Sequence, residues 1–175
     1  MAPFTPSAYG TAVVSILGDG TRLMPLGPGT LHPDAKSLLE RFDPSVDLGI
    51  SIRDRDMARC CHAMLWLYHD GIDPAHEISQ DITTPTGSYI HGIVHRREPD
   101  ASNSKYWLAR IGSHPLPGQL RVHAAPAGLT FITPEAFVDR CEQVRGKGGI
   151  DEEQAQRIQL LEWQLLFEYC FTAAK

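Results

Sequence analysis

Apolar residues recur along this chain with the spacing of α-helices. The clearest example begins after Ser51 or Asp54, both suitable N-cap residues, and runs to about Tyr68. At about 100° per residue its apolar side chains fall on one arc. They are Met57, Cys60, Cys61, Met64, Leu65, Leu67 and Tyr68. The pattern predicts an amphipathic helix with one face in the protein core.

Helix start and stop signals predict further helices on both sides of this one. They cover residues 34–42, residues 73–82 after an Asp-Pro start, residues 102–111 with Ser102 or Asn103 as cap, residues 133–146 after Thr-Pro-Glu, and a last helix from Asp151. The sum is an all-α domain, a bundle of about six helices over residues 34–175. The Pro- and Gly-rich residues 1–33 predict an extended N-terminal arm, and residues 120–123 a short extended piece.

Residues 88–98 allow two interpretations. As a strand, the odd-numbered residues share one face, which then carries aromatic, apolar, His and Arg side chains together. Such a mixture is unfavourable for a buried sheet surface. As a helix, the apolar and polar residues separate onto different sides, and Pro99 ends the element. The helix is the favoured interpretation and the strand remains the alternative.

Composition and charge argue against a nucleic-acid-binding, membrane or secreted protein. The formal net charge is −5, whereas nucleic-acid-binding proteins normally carry a basic excess, so no nucleic-acid partner is expected. No window approaches the roughly 18 apolar residues of a membrane span, and the first residues lack the basic start of a signal peptide. Four Cys without a C-x-x-C motif are typical of reduced, buried thiols. Together these features predict a cytoplasmic protein without a membrane partner.

The helical interpretation places His91, His95 and Glu98 on one ridge, where two imidazoles one turn apart can share a metal ion. Glu98 is the candidate third ligand. Further candidates are His69, His76, Glu77 and Asp100. The ridge predicts a divalent metal ion as cofactor of a metal-dependent hydrolase that uses the two His with an acidic partner.

Two features of this ridge argue against that hypothesis. Gly92 stands where the Glu of an H-E-x-x-H motif would be, which excludes zinc-protease chemistry of that type. The positive charges of Arg96 and Arg97 oppose cation binding. The alternative is a polar helix face whose His and Glu side chains form hydrogen bonds between helices.

The same stretch, residues 88–110, predicts a site for a small polar or anionic ligand. Arg side chains and a helix start suit an anion, aromatic rings suit a planar group, and His91 or His95 could transfer protons near neutral pH. The candidate ligand-binding residues are Arg96, Arg97, Glu98, Asp100, Asn103, Lys105, Tyr106, Trp107, His69, His76 and Glu77. The alternative is internal ion pairing, because the charges of this stretch nearly balance.

Residues 18–26 read Gly-Asp-Gly-Thr-Arg-Leu-Met-Pro-Leu, which resembles the signature loop of nucleotide-sugar pyrophosphorylases, G-x-G-T-R-L-x-P-L. The resemblance implies a phosphate-cradling loop after a strand, with Arg22 stabilising phosphate charge, and nucleotidyl transfer as a minor hypothesis. The chain departs from that family at Pro33-Asp34, where a Pro-Lys pair is expected, and lacks its strand–helix alternation.

The pattern HGIVHRREPDASNSKYW, with RLMPLGPG upstream, resembles an uncharacterised family of bacterial proteins. That resemblance implies no activity and no catalytic residues. Three hypotheses therefore stand: small-ligand binding at residues 88–110, a metal-dependent hydrolase, and a non-enzymatic interaction protein. The third would be a homodimer formed through the apolar C-terminal helix, residues 155–172.

Overall fold

The structure, a computed structural model, describes residues 4–175. All regular secondary structure within these residues is helical. Nine α-helices lie in this part of the chain: α1 Thr11–Leu17, α2 Pro33–Leu39, α3 Arg55–Tyr68, α4 Ile72–Gln80, α5 Pro85–Arg97, α6 Ala101–Leu108, α7 Leu116–Ala124, α8 Pro134–Val144 and α9 Gly149–Ala174. Two 3₁₀ turns, Pro6–Tyr9 and Ala125–Ala127, complete them. The all-α class is confirmed, and the predicted total of about six helices is wrong.

Helices α1 and α7 lie in segments that the Pro and Gly content predicted to be extended. In α1, three side chains, Val13, Ile16 and Leu17, are buried, so the predicted arm contributes to the core. The prediction of an extended piece at residues 120–123 is wrong, because these residues belong to α7. Its prolines stand at the helix start, where a missing backbone N–H costs no intrahelical hydrogen bond.

Local capping explains where several helices begin. The Asp54 side chain accepts a hydrogen bond from the backbone N–H of Met57 at 3.0 Å, and Thr133 caps α8 through Ala136 at 3.1 Å, as the sequence predicted. Helix α6 differs from expectation, since its cap is Asp100 rather than Ser102 or Asn103. Residues 85–97 are helical and not a strand, which confirms the favoured interpretation, and Glu98 directly follows the helix.

Helix α9 packs against α3, α7 and α8, so most of its apolar side chains are buried within the chain. Trp163 donates a hydrogen bond to the carbonyl of Met64 at 2.7 Å and thereby ties α9 to α3. Burial inside one chain therefore accounts for the apolar character of this helix. No helix within residues 4–175 has the length and apolar character needed to cross a membrane.

Helices α5 and α6 form a close pair. The Ser104 hydroxyl donates to the carbonyl of Gly92 at 2.7 Å in the buried interface. A Cβ atom at Gly92 would lie only 2.8 Å from Cγ of Leu108, so the absence of a side chain permits this approach. This packing places α6 beside the side of α5 that carries His91 and His95.

Candidate metal centre

Three His side chains from two helices converge beside α6. His91 and His95 lie one turn apart on α5, and His76 faces them from α4. The Nε2 atom of His91 is 2.9 Å from Nε2 of His76 and 3.0 Å from Nε2 of His95. All three potential ligand atoms lie within 4.8 Å of one another. This is the spacing at which three imidazoles can hold one metal ion.

Glu98 contacts the opposite side of two of these rings. Its carboxylate accepts from Nδ1 of His76 at 2.9 Å and from Nδ1 of His95 at 2.8 Å. Because a carboxylate only accepts, Nδ1 carries the proton in both rings, and each Nε2 presents a lone pair toward the cluster. The sequence predicted Glu98 as a candidate third metal ligand. In the structure its carboxylate contacts Nδ1 of His76 and of His95, and the three-residue cluster consists of His76, His91 and His95.

Burial favours the neutral form of these rings. His91 and His95 are 4% and 5% exposed. Burial, together with the nearby His95 and His76, lowers the pKa of His91 to about 4. Burial also lowers the pKa of His95, although the Glu98 carboxylate acts in the opposite direction. Both imidazoles are therefore uncharged near pH 7, the form that binds metals.

Helix α6 covers one side of the cluster with Asn103 and Trp107. The Nδ2 atom of Asn103 lies 3.1 Å from Nε2 of His95. The Trp107 ring stacks on the His91 ring with centroids 4.2 Å apart. Among residues 4–175, Nδ1 of His91 is one of two buried side-chain nitrogen or oxygen atoms without a hydrogen-bond partner. His76 keeps 30% of its side chain exposed, so the cluster reaches solvent on that side.

Arg96 and Arg97, predicted to bind a ligand, are buried in internal contacts. Arg96 pairs with Glu162 of α9, and both side chains are fully buried. Arg97 pairs with Asp70 and donates to the carbonyl of Leu67 at 2.8 Å. Both guanidinium groups are thus used to connect helices.

Other candidate residues lie outside the cluster or serve the backbone. Lys105 pairs with Asp139 at 2.5 Å, and the ring of the half-exposed Tyr106 lies 3.3 Å from the Arg110 guanidinium carbon. Asp100 is the α6 cap, Glu77 is exposed, and Nε2 of His69 lies 2.7 Å from the carbonyl of Ile16. The structure therefore brings together His76, His91, His95, Glu98, Asn103 and Trp107 from the predicted set.

The loop that resembles a pyrophosphorylase signature follows a helix, α1, where that family has a strand. Its Arg22 pairs with Asp70 and donates to the carbonyl of Tyr68. These contacts tie the loop to the end of α3. They give Arg22 an internal role that needs no phosphate.

The four cysteines lie in the protein core, away from solvent. All four are buried and free of disulfides. Burial raises the pKa of Cys141 to about 11, which keeps its thiol protonated near pH 7.

No family model matches this chain, and comparison with curated proteins and with solved structures finds no match.

Proposed function

We propose that this protein binds one divalent transition metal ion, best matched by zinc, through Nε2 of His76, His91 and His95. The observation that carries the proposal is the convergence of three Nε2 atoms, two of them with lone pairs directed inward by Glu98. A carboxylate that holds the far nitrogen of a ligating His is a recurrent feature of metal sites.

The spacing suits a small ion. Zinc binds His nitrogens at about 2.0–2.1 Å, so ligand atoms in a tetrahedral site lie about 3.3 Å apart. Nε2 of His91 lies 2.9 Å from Nε2 of His76 and 3.0 Å from Nε2 of His95. Both distances are roughly 0.3–0.4 Å shorter than the tetrahedral value. The ligand atoms of His76 and His95 lie within 4.8 Å of each other, so the three rings would adjust around the ion by rotation about their side-chain bonds.

The local charges also favour a cation. Arg96 and Arg97 follow His95 directly, but Arg96 pairs with Glu162, and Arg97 pairs with Asp70, a carboxylate that it shares with Arg22. The Glu98 carboxylate remains beside the rings and supplies one negative charge to the site. These pairings reduce the repulsion that two arginines would exert on a metal ion.

Three His ligands would leave one coordination position of the ion for water, whose pKa zinc would lower to about 7. This arrangement supports hydrolysis of a small polar substrate that enters from the exposed side of His76. His91 and His95 would serve as ligands rather than as acid–base groups, with Glu98 as the acidic positioning partner.

Metal analysis of the purified chain tests the binding proposal. After incubation with Zn²⁺ and gel filtration, the wild type should retain one ion per chain, and His91→Ala and His95→Ala should retain none. His123→Ala is the matched control, because His123 lies on α7 outside the cluster. A wild type without stoichiometric metal, or variants that keep it, would contradict the proposal.

Hydrolysis is tested separately with 4-nitrophenyl acetate, an activated ester. Turnover should disappear on chelation, return with Zn²⁺ and be absent in His91→Ala. Metal-loaded protein that hydrolyses the ester no faster than free Zn²⁺ would refute the hydrolytic part while leaving metal binding intact.

A further inference from the structure

The backbone of Asn103 is held in place beside the three His side chains. Its backbone N–H donates to the Asp100 cap at 3.0 Å, in the first turn of α6. The next residue, Ser104, is anchored to the carbonyl of Gly92 at 2.7 Å. One helical turn later, Trp107 stacks on His91. The backbone position of Asn103 is therefore fixed from both sides, while its side chain can turn about its own bonds.

The amide contacts an atom of the proposed metal centre itself. Nδ2 of Asn103 lies 3.1 Å from Nε2 of His95. Since Nδ1 of His95 donates to Glu98, its Nε2 is an acceptor, and the amide N–H donates to that lone pair.

A metal ion bound to His95 would take this same lone pair at about 2.0–2.1 Å, so the Asn103 amide would turn aside from it. The Asn103 N–H would then need another acceptor, because a partly buried donor without a partner is unfavourable. Adjacent ligands in a tetrahedral site lie about 3.3 Å apart, so a fourth ligand on this side of His95 would be within reach of Nδ2. An uncharged N–H donor at that place complements a ligand that accepts hydrogen bonds.

We infer that Asn103 donates a hydrogen bond to a small anionic ligand at the fourth coordination position of the metal. This inference rests on the proposed function and names its ligand class. The ligand would bind the metal through one atom and accept from Nδ2, while the Trp107 ring limits its size on the neighbouring side. Asn103 is thus a positioning residue.

Azide titration of the Co²⁺-loaded chain tests the inference, followed through the visible absorption of the metal. The wild type should bind azide, and Asn103→Ala should bind Co²⁺ normally while its azide dissociation constant rises about tenfold. Asn103→Asp, of the same shape but with a negative charge, should weaken azide binding further. Circular dichroism of each variant checks that the fold persists.

Lys105→Met is the matched control, since Lys105 is a cation two residues away that pairs with Asp139. It should leave azide binding unchanged, which excludes general attraction of the anion to this helix. Azide that binds Asn103→Ala as tightly as the wild type, or that fails to bind the Co²⁺-loaded wild type, would overturn the inference. A wild type that takes up no Co²⁺ or Zn²⁺ would instead refute the proposed function, a result visible before azide is added.

Discussion

The Glu98 carboxylate lies 2.9 Å from Nδ1 of His76, although Glu98 directly follows α5 and His76 belongs to α4. The contact joins two helices at the edge of the His cluster. It also selects the tautomer of the His76 ring and directs Nε2 toward His91.

Replacing this carboxylate should weaken metal binding without unfolding the protein. A Glu98→Gln side chain can accept from His76 or His95 through its single oxygen, so one ring loses its acceptor. We expect the Zn²⁺ dissociation constant to rise about 10–100-fold, measured by competition with a chromogenic chelator. Glu77→Gln is the control, because Glu77 neighbours His76 but is exposed. Equal affinities in the two variants would contradict the orienting role of Glu98.

The buried Arg96–Glu162 pair should contribute to stability through charge compensation. Glu162→Gln leaves the Arg96 guanidinium charged and fully buried, which should lower the free energy of unfolding by about 3–5 kcal/mol in urea titrations. Glu153→Gln on the same helix breaks an exposed pair with Arg157 and should cost less than about 1 kcal/mol. Similar losses in both variants would show that burial of the pair has no special effect.

A side chain at position 92 should separate α5 from α6. Gly92→Ala places Cβ 2.8 Å from Cγ of Leu108, and we expect a loss of about 1–2 kcal/mol in unfolding free energy. Gly118→Ala is the control on α7, where an added Cβ meets no atom within 4 Å. That substitution should stabilise the protein by up to about 1 kcal/mol, because alanine favours the helix. Stabilisation by both substitutions would contradict the close approach at Gly92.

Stability should decrease in acid partly because of His114. Burial lowers the pKa of His114 to about 4, so between about pH 6.5 and pH 4 the unfolded chain takes up a proton that the folded chain does not. The folded state therefore loses stability as the pH falls through this window, by about 1–2 kcal/mol for this partly exposed ring.

A variant isolates this contribution from that of the other His residues. His114→Asn keeps an acceptor for the Leu116 N–H, which contacts Nδ1 of His114 at 3.2 Å, but does not titrate. Urea unfolding at pH 7 and at pH 4.5 should show a smaller loss for the variant than for the wild type. Parallel losses would rule out a role for His114.

Local signals in the sequence predicted most helices and part of the candidate site. The N-caps Asp54 and Thr133 were found because a cap bonds to a residue three positions away. The i, i+4 pair His91 and His95 was found for the same reason, since helical geometry alone puts them on one side. Helices α1 and α7 were missed because their Pro and Gly neighbours resemble loop sequence, while burial against the rest of the fold supports them.

By itself the sequence determined the all-α class and the concentration of His, charged and aromatic side chains in residues 88–107. Both follow from spacing within one or two helical turns. Tertiary structure decided what each side chain does. Arg96 pairs with Glu162, which lies 66 positions further along the chain. His76 contacts His91 only because α4 packs on α5. The same packing puts Glu98 behind the rings rather than among the ligands. Partners so distant in sequence leave no periodic signal, so only the packing of helices could assign these roles.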